Sequence, residues 1–432
     1  MLRYWCPILF IIIFSLSFVN GASAGGLYLY EVGSPDVGLA GAGYAARADD
    51  AATVFTNPAG MTRIDQPSVL MGTQPVYMDM EFSPDGNTSA AAATLPSGAP
   101  AKDGDTSGWM PAGGLYYVHP VNDQLRLGLS VNGYFGLSLD YESDWVGRYY
   151  VKEATLQGMA VQPAVAWKVN DWLSLGAGVA AIYGMMEEKV AVNNINPLLG
   201  DGELKVEDQD WTAQFNLGVL TEPRKGTRFG LTYLSEAKLD FSDRVEWKGL
   251  GPVLAASLDG RGLLDARLDL GMYMPQAVMF SAYHELTDRL ALMANLGWQD
   301  WSRFGKVHIG LTSLTSTSLT VDMDYKDTWH VALGAEYKAS DAWRITGGVA
   351  YDSEMVDESD VEPNMPVGEN WRFGLGSRYD WSEDLSLTGA YELVWVGDID
   401  MDTDRGPLAG RVSGTYDDVS LHVFCLTLEW RF

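Results

Sequence analysis

Beyond Pro67 the chain alternates apolar and polar positions with period two, in segments of about 10 to 17 residues, the length and period of tilted barrel strands. The alternation predicts fourteen of them, over residues 68–83, 109–119, 124–140, 152–169, 171–187, 210–221, 226–241, 273–286, 288–304, 325–338, 341–355, 370–380, 383–398 and 415–432. Connections between them alternate in length. Short ones carry turn residues, as in His119-Pro120-Val121-Asn122-Asp123 and Asn170-Asp171, and long ones rich in Gly, Ser, Asp and Pro cover 84–108, 188–209, 242–272, 305–324, 356–369 and 399–414. A membrane barrel with long extracellular loops and short periplasmic turns has this asymmetry, and a soluble β-sandwich does not. In the last segment Phe424, Leu426, Leu428, Trp430 and Phe432 fall on one face and Cys425, Thr427, Glu429 and Arg431 on the other, suiting lipid and an aqueous lumen. Trp109, Trp145, Trp172, Trp343 and Trp381 lie near strand ends, where interfacial girdles are expected.

The start of the chain breaks the pattern. Arg3, an apolar run from Ile8 to Val19, and Ala22-Ser23-Ala24 form a cleavable leader over residues 1–24, too short to span a bilayer as a helix. Gly33 to Gly60 then fits neither a strand nor a membrane helix. A compact, partly helical piece over residues 25–66 ahead of a barrel over 67–432 is most simply a hatch, or plug.

Composition narrows the function. With 57 acidic against 29 basic residues the formal net charge is −28, which disfavours nucleic acid as a partner. Cys6 lies in the leader, so Cys425 has no intramolecular disulfide partner. Gly41-Ala42-Gly43 and Gly176-Ala177-Gly178 imitate a dinucleotide fingerprint, but neither sits in a strand-turn-helix unit, so close backbone packing is the better reading and no cofactor is expected. Five scattered histidines, with no GxSxG or HExxH, give no catalytic constellation. The run Asp398, Asp400, Asp402, Asp404 begins like a calcium loop but has Arg405 where the turn glycine belongs and Arg411 where the bidentate glutamate belongs, so no metal site is expected. Gly133-Tyr134-Phe135-Gly136 interrupts the third strand, as glycines at a bulge do.

Taken together the plug, the fourteen strands and several local runs resemble the FadL/TodX (OmpP1) family of outer-membrane transporters for hydrophobic compounds. The carrying residues are the glycine-rich run, Ala48-Asp49-Asp50-Ala51, Asn57-Pro58-Ala59, the run from Asn170 to Gly178, Trp298 to Phe304, Ala332 to Tyr337 and Gly348 to Asp352. The resemblance covers essentially the whole mature chain. It implies a Gram-negative outer-membrane location, passive uptake of hydrophobic molecules such as long-chain fatty acids, Asn57, Pro58 and Ala59 as the hatch turn, and Gly133, Tyr134, Phe135 and Gly136 as a kink for lateral release. It also implies outer-membrane lipid and lipopolysaccharide as surroundings, and barrel-assembly machinery reading Phe432. Fatty-acid members hold the carboxylate with basic and hydroxyl side chains. Here Gly133, Val190 and Val321 stand at those places, and Lys189 is the nearest candidate counter-charge. A general porin for polar solutes, or an adhesin or structural barrel, are the competing readings.

Overall fold

The computed structural model describes residue 30 and residues 32–432, save 195, 313–315, 358, 359 and 407. The leader, 1–24, lies outside the described residues. Fourteen antiparallel wall crossings, here called staves, close into a barrel. Closure is direct: Ser68 of the first stave is the register partner of Val118 in the second and of Arg431 in the last.

Alternation sets which face meets lipid. On the last stave, Arg411–Arg431, Phe424, Leu426, Leu428 and Trp430 are exposed outward, while Cys425, Thr427 and Glu429 are buried in the lumen. Side-chain oxygens build the short turns. Asn122 Oδ1 accepts from the amides of Gln124 and Leu125, and Asn170 Oδ1 from those of Trp172 and Leu173, so each tight reversal satisfies its own backbone.

The structure departs from the sequence-based bounds in three ways, each with a physical cause. Several staves run well past the membrane: the fifth covers Leu173–Val192 and the sixth Gly202–Arg224. Their outer ends are laced by charged cross-strand pairs such as Lys205 with Glu187, so the ladder continues where the apolar signal has stopped.

Staves seven to ten, by contrast, are interrupted. Ala237–Arg244, Arg267–Met274, Lys306–Thr312 and Ser316–Asp322 form a separate four-stranded sheet above the wall. The strand expected over 288–304 ends at Gln299 and is followed by a helical turn, Trp301–Phe304, because Asp300 and Asp327 take up the hydroxyl and amide of Ser302 and Trp301 turns inward onto Gln299.

Third, Trp145 is no girdle residue. It is fully buried in an extracellular loop, stacked on Tyr141 at 4.0 Å, with its indole nitrogen donating to the Val151 carbonyl at 2.8 Å.

Inside the barrel residues 32–64 form a floor of short helical turns, Pro35–Leu39, Thr53–Thr56 and Pro58–Arg63. Above it lies an apolar core shared by wall and extracellular loops.

Candidate functional site

Asn57 is extended, and Pro58 has no amide to offer, so the helix Thr53–Thr56 stops and a new turn starts. The Asn57 carboxamide caps that turn by accepting from the Ala59 amide at 3.0 Å, while its Nδ2 donates to the carbonyls of Ala45, at 2.6 Å, and Val219 on the sixth stave, at 3.1 Å. Close approach follows from wall glycines. A Cβ on Gly218 would stand 2.0 Å from Asn57 Oδ1, and one on Gly176 would stand 2.2 Å from the Ala59 amide nitrogen. Gly176 of the Gly176-Ala177-Gly178 pattern therefore seats this turn, while Gly178 lies against the Gln162 side chain.

Polar side chains on the inner wall complete the floor. Asn295 accepts from the Gly43 amide at 2.9 Å, Ser281 from the Ala45 amide at 2.9 Å, and Arg228 donates to the Ala46 carbonyl at 2.9 Å. Gln162 and Asn216 donate to the carbonyls of Val54 and Phe55, each at 2.7 Å. Short helical turns leave many backbone groups unpaired, and these side chains satisfy them. Sequence reasoning missed all five. Their signal is a polar inward residue in an otherwise apolar stretch, on staves four, six, seven, eight and nine.

Over this floor the lumen is apolar and rich in methionine, with Met78, Met80, Met110, Met186, Met272 and Met274 buried in one cluster. Unbranched thioethers repack readily around molecules of different shape. An extracellular cap covers them. Arg148, fully buried, binds Asp201 at 3.0 Å and donates to the carbonyls of Ala92 and Thr94, each at 2.9 Å, so one guanidinium joins three loops.

On the third stave, Leu125–Asp140, the register with the fourth shifts between Gly133 and Phe135, which places Tyr134 in a bulge. Its ladder with the second stave runs only from Pro120↔Arg126 to Gly114↔Asn132. From Gly133 onward the third stave is in register with the fourth, while the upper pieces of the second, Gly104–Asp105 and Gly108–Met110, pair with the first. Among the described residues the register pairing of the second and third staves ends at Gly114↔Asn132, just before the bulge. Residues 134–139 are buried on both faces. The Tyr134 hydroxyl donates to Gln214 of the sixth stave. Gly136 faces Met110, whose sulfur would lie 3.1 Å from an added Cβ.

Lys189 is already engaged. Its ammonium holds Glu153, and Glu187 at 3.0 Å, on the extracellular extension of the wall. Among the described residues no group of three or more His, Cys, Asp and Glu side chains is arranged to hold a metal ion.

The family model described as outer membrane protein transport protein (OMPP1/FadL/TodX) matches residues 16–432. The chain belongs to this family. Outer membrane protein P1 of Haemophilus influenzae (strain Rd) is 28% identical over 409 residues, 86% of each chain. The long-chain fatty acid transport protein of Escherichia coli (strain K12) is 26% identical over 402 residues, 85% of this chain and 86% of that one. A crystal structure of a Pseudomonas aeruginosa FadL homologue superposes with a TM-score of 0.85 at 22% identity, over 94% of this chain and 100% of that one. The P. putida toluene transporter TodX gives 0.68 at 13% identity, over 94% and 99%. At these identities the superpositions speak for the fold. Barrel and family together place this OMPP1/FadL/TodX member in the outer membrane of a Gram-negative cell.

Proposed function

We propose that the protein carries hydrophobic compounds passively across the outer membrane: in from outside, into the methionine-rich lumen above a fixed hatch, and out sideways through the break beside the third stave. Residues 25–66 act as the hatch and 67–432 as the conduit. The observation that carries this is the end of that register pairing just before the bulge, directly over a floor whose backbone is tied to the wall. Relatives named for long-chain fatty acids and for toluene support the cargo class. An apolar solute keeps about 25 cal/mol per Å2 of buried surface by staying in apolar surroundings, so leaving into lipid is favoured over a watery periplasmic mouth. No cofactor takes part. Outward apolar side chains face outer-membrane lipid and lipopolysaccharide, and Phe432, exposed at the chain end, is offered to the assembly machinery.

Lys189 is a poor counter-charge for a carboxylate cargo, since a ligand would have to displace Glu153 and Glu187. Replacing it by Met should leave uptake of neutral apolar compounds unchanged.

Deleting Tyr134 removes the bulge and lets the third stave pair on without a register shift. Uptake of a labelled apolar compound by cells should then fall several-fold with the barrel still folded. Unchanged uptake would sink the lateral route. Removing residues 33–60 separates transporter from porin: single-channel conductance should rise sharply in a hatch-closed barrel and hardly change in an open one.

A further inference from the structure

Tyr134, the extra residue of the third-stave bulge, is tied to two things at once. Its hydroxyl donates to Gln214 Oε1 on the sixth stave, and its ring stands edge-on to the hatch residue Phe55, with centroids 5.9 Å apart and planes at 82°. Both partners are buried. Ala160, the register partner of Asn132, and Ala180, the register partner of Gln214, are buried inward residues of the fourth and fifth staves at this height, and their small side chains leave room for the reach. Phe135 is seated differently. An added Cβ at Gly158 of the fourth stave would stand 2.3 Å from its ring, so one aromatic of the bulge holds to the neighbouring stave and the other to the sixth.

Gln214 is a fixed partner. Its Nε2 donates to the Ser235 carbonyl, which orients the carboxamide, because the flipped form would set oxygen against oxygen. Ser235 is bound in turn: its amide donates to the Phe215 carbonyl at 2.9 Å, and its hydroxyl accepts from the Phe215 amide at 3.0 Å. The sixth stave is in register with the fifth all the way from Thr221 to Gly202, so Gln214 stands on a rigid post. Two residues on, Asn216 holds the Phe55 carbonyl. The same stretch of wall therefore anchors both hatch and bulge, while the register pairing of the third stave with the second has already ended at Asn132. Tyr134 is where the bulge is pinned to the interior.

We infer that Tyr134 is the latch of this break: while its hydroxyl rests on Gln214 the bulge stays against the hatch, and cargo leaves sideways when that bond opens and the ring swings off Phe55. A neutral hydrogen bond is weak enough in net terms to open thermally and strong enough to bias the closed form. Residues 134–139, buried on both faces, then meet the cargo. This rests on the proposed lateral route and names the contact that regulates it.

The test compares the wild type, Tyr134→Phe, Gln214→Leu and the double variant, each as the full-length protein. Tyr134→Phe keeps the ring, the bulge and the Phe55 contact and deletes the hydroxyl, leaving Gln214 Oε1 unmet in the closed form. Uptake by cells of phenylnaphthylamine, a neutral apolar dye, and of labelled oleate should rise roughly fivefold. Amide exchange at 134–139 in the purified protein should quicken by a similar factor, with the sixth stave unchanged. Gln214→Leu should act likewise, and the double variant no more strongly than the faster single one, since the same bond is lost in each; side chains that merely pack would give additive effects. Gel mobility with and without heating reports folding, and if Gln214→Leu fails to fold, Tyr134→Phe decides alone. Unchanged or slower uptake or unchanged exchange in Tyr134→Phe, or additive gains in the double variant, overturns the latch and leaves the lateral route standing on its own test by deletion of Tyr134. Wild-type cells that take up neither probe faster than cells without the protein overturn both.

Discussion

Asn57 Nδ2 donates to the Val219 carbonyl at 3.1 Å while Asn57 Oδ1 accepts from the Ala59 amide, so one side chain caps a hatch turn and fastens it to the sixth stave. Losing a cap costs about 1 kcal/mol, and each buried carbonyl left without its donor about 1–3 kcal/mol more. Asn57→Ala should therefore loosen the hatch without unfolding the wall. Basal conductance in planar bilayers should rise, with heat-modifiable gel mobility unchanged. Asn57→Asp keeps the cap and loses the donors, and should fall between the two.

Wall glycines give a sharper contrast. An added Cβ at Gly230 would stand 1.9 Å from the Ala45 carbonyl oxygen, whereas at Gly389 nothing lies within 4 Å. Gly230→Ala should push the hatch off its seat, cost about 1–3 kcal/mol, and expose residues 40–50 to added protease. Gly389→Ala should change thermal stability by about 0.5 kcal/mol or less.

The extracellular cap depends on Arg148, which is fully buried between Asp201 and the carbonyls of Ala92 and Thr94. Arg148→Met takes the ion partner from Asp201, which keeps the Tyr149 hydroxyl, and leaves two carbonyls without their donor, at a cost on the order of 3 kcal/mol. Hydrogen exchange should quicken in loops 84–103, 141–152 and 193–201 together, since one group holds all three. Faster exchange in one loop alone would show that the cap is not a unit.

Tyr149 gives the same cap a pH limit. Burial, and then its hydrogen bond to Asp201 at 2.6 Å, push its hydroxyl from 10.0 up to about 12. In the unfolded loop the phenol ionises near 10, so between about pH 10 and 12 the folded loop holds a proton that the unfolded one has lost, and loop stability falls as pH rises. Below pH 10 both forms are protonated and this contribution is constant. Phenolate absorbance should rise late in the wild type, and protease access to 141–152 should rise with it. In Tyr149→Phe the late rise should be smaller by one tyrosine, and the pH-dependent protease access to 141–152 should weaken with it.

Much of the wall was legible because lipid outside and water inside impose a period of two that a reader can count. Where that contrast ends, counting fails. The outer ends of the fifth and sixth staves, beyond the strands expected over 171–187 and 210–221, are charged, so nothing in Lys189 or Lys205 announces a strand. Trp145 reads as a girdle residue from its place near a strand end, yet the chain folds it under Tyr141. The breaks in staves seven to ten carry only faint signs, such as Pro275 and Asp300.

The sequence by itself determined the order and facing of the staves, the side on which the long loops lie, and the presence of a non-barrel segment ahead of them. Local periodicity and turn chemistry suffice for these. Only the tertiary structure decided which inward polar residue meets which hatch group, that Lys189 is already neutralised, and that the Tyr134 hydroxyl reaches Gln214. Asn295 and Gly43 are 252 residues apart. Barrel closure and stave register bring such partners together, and no local spacing encodes either.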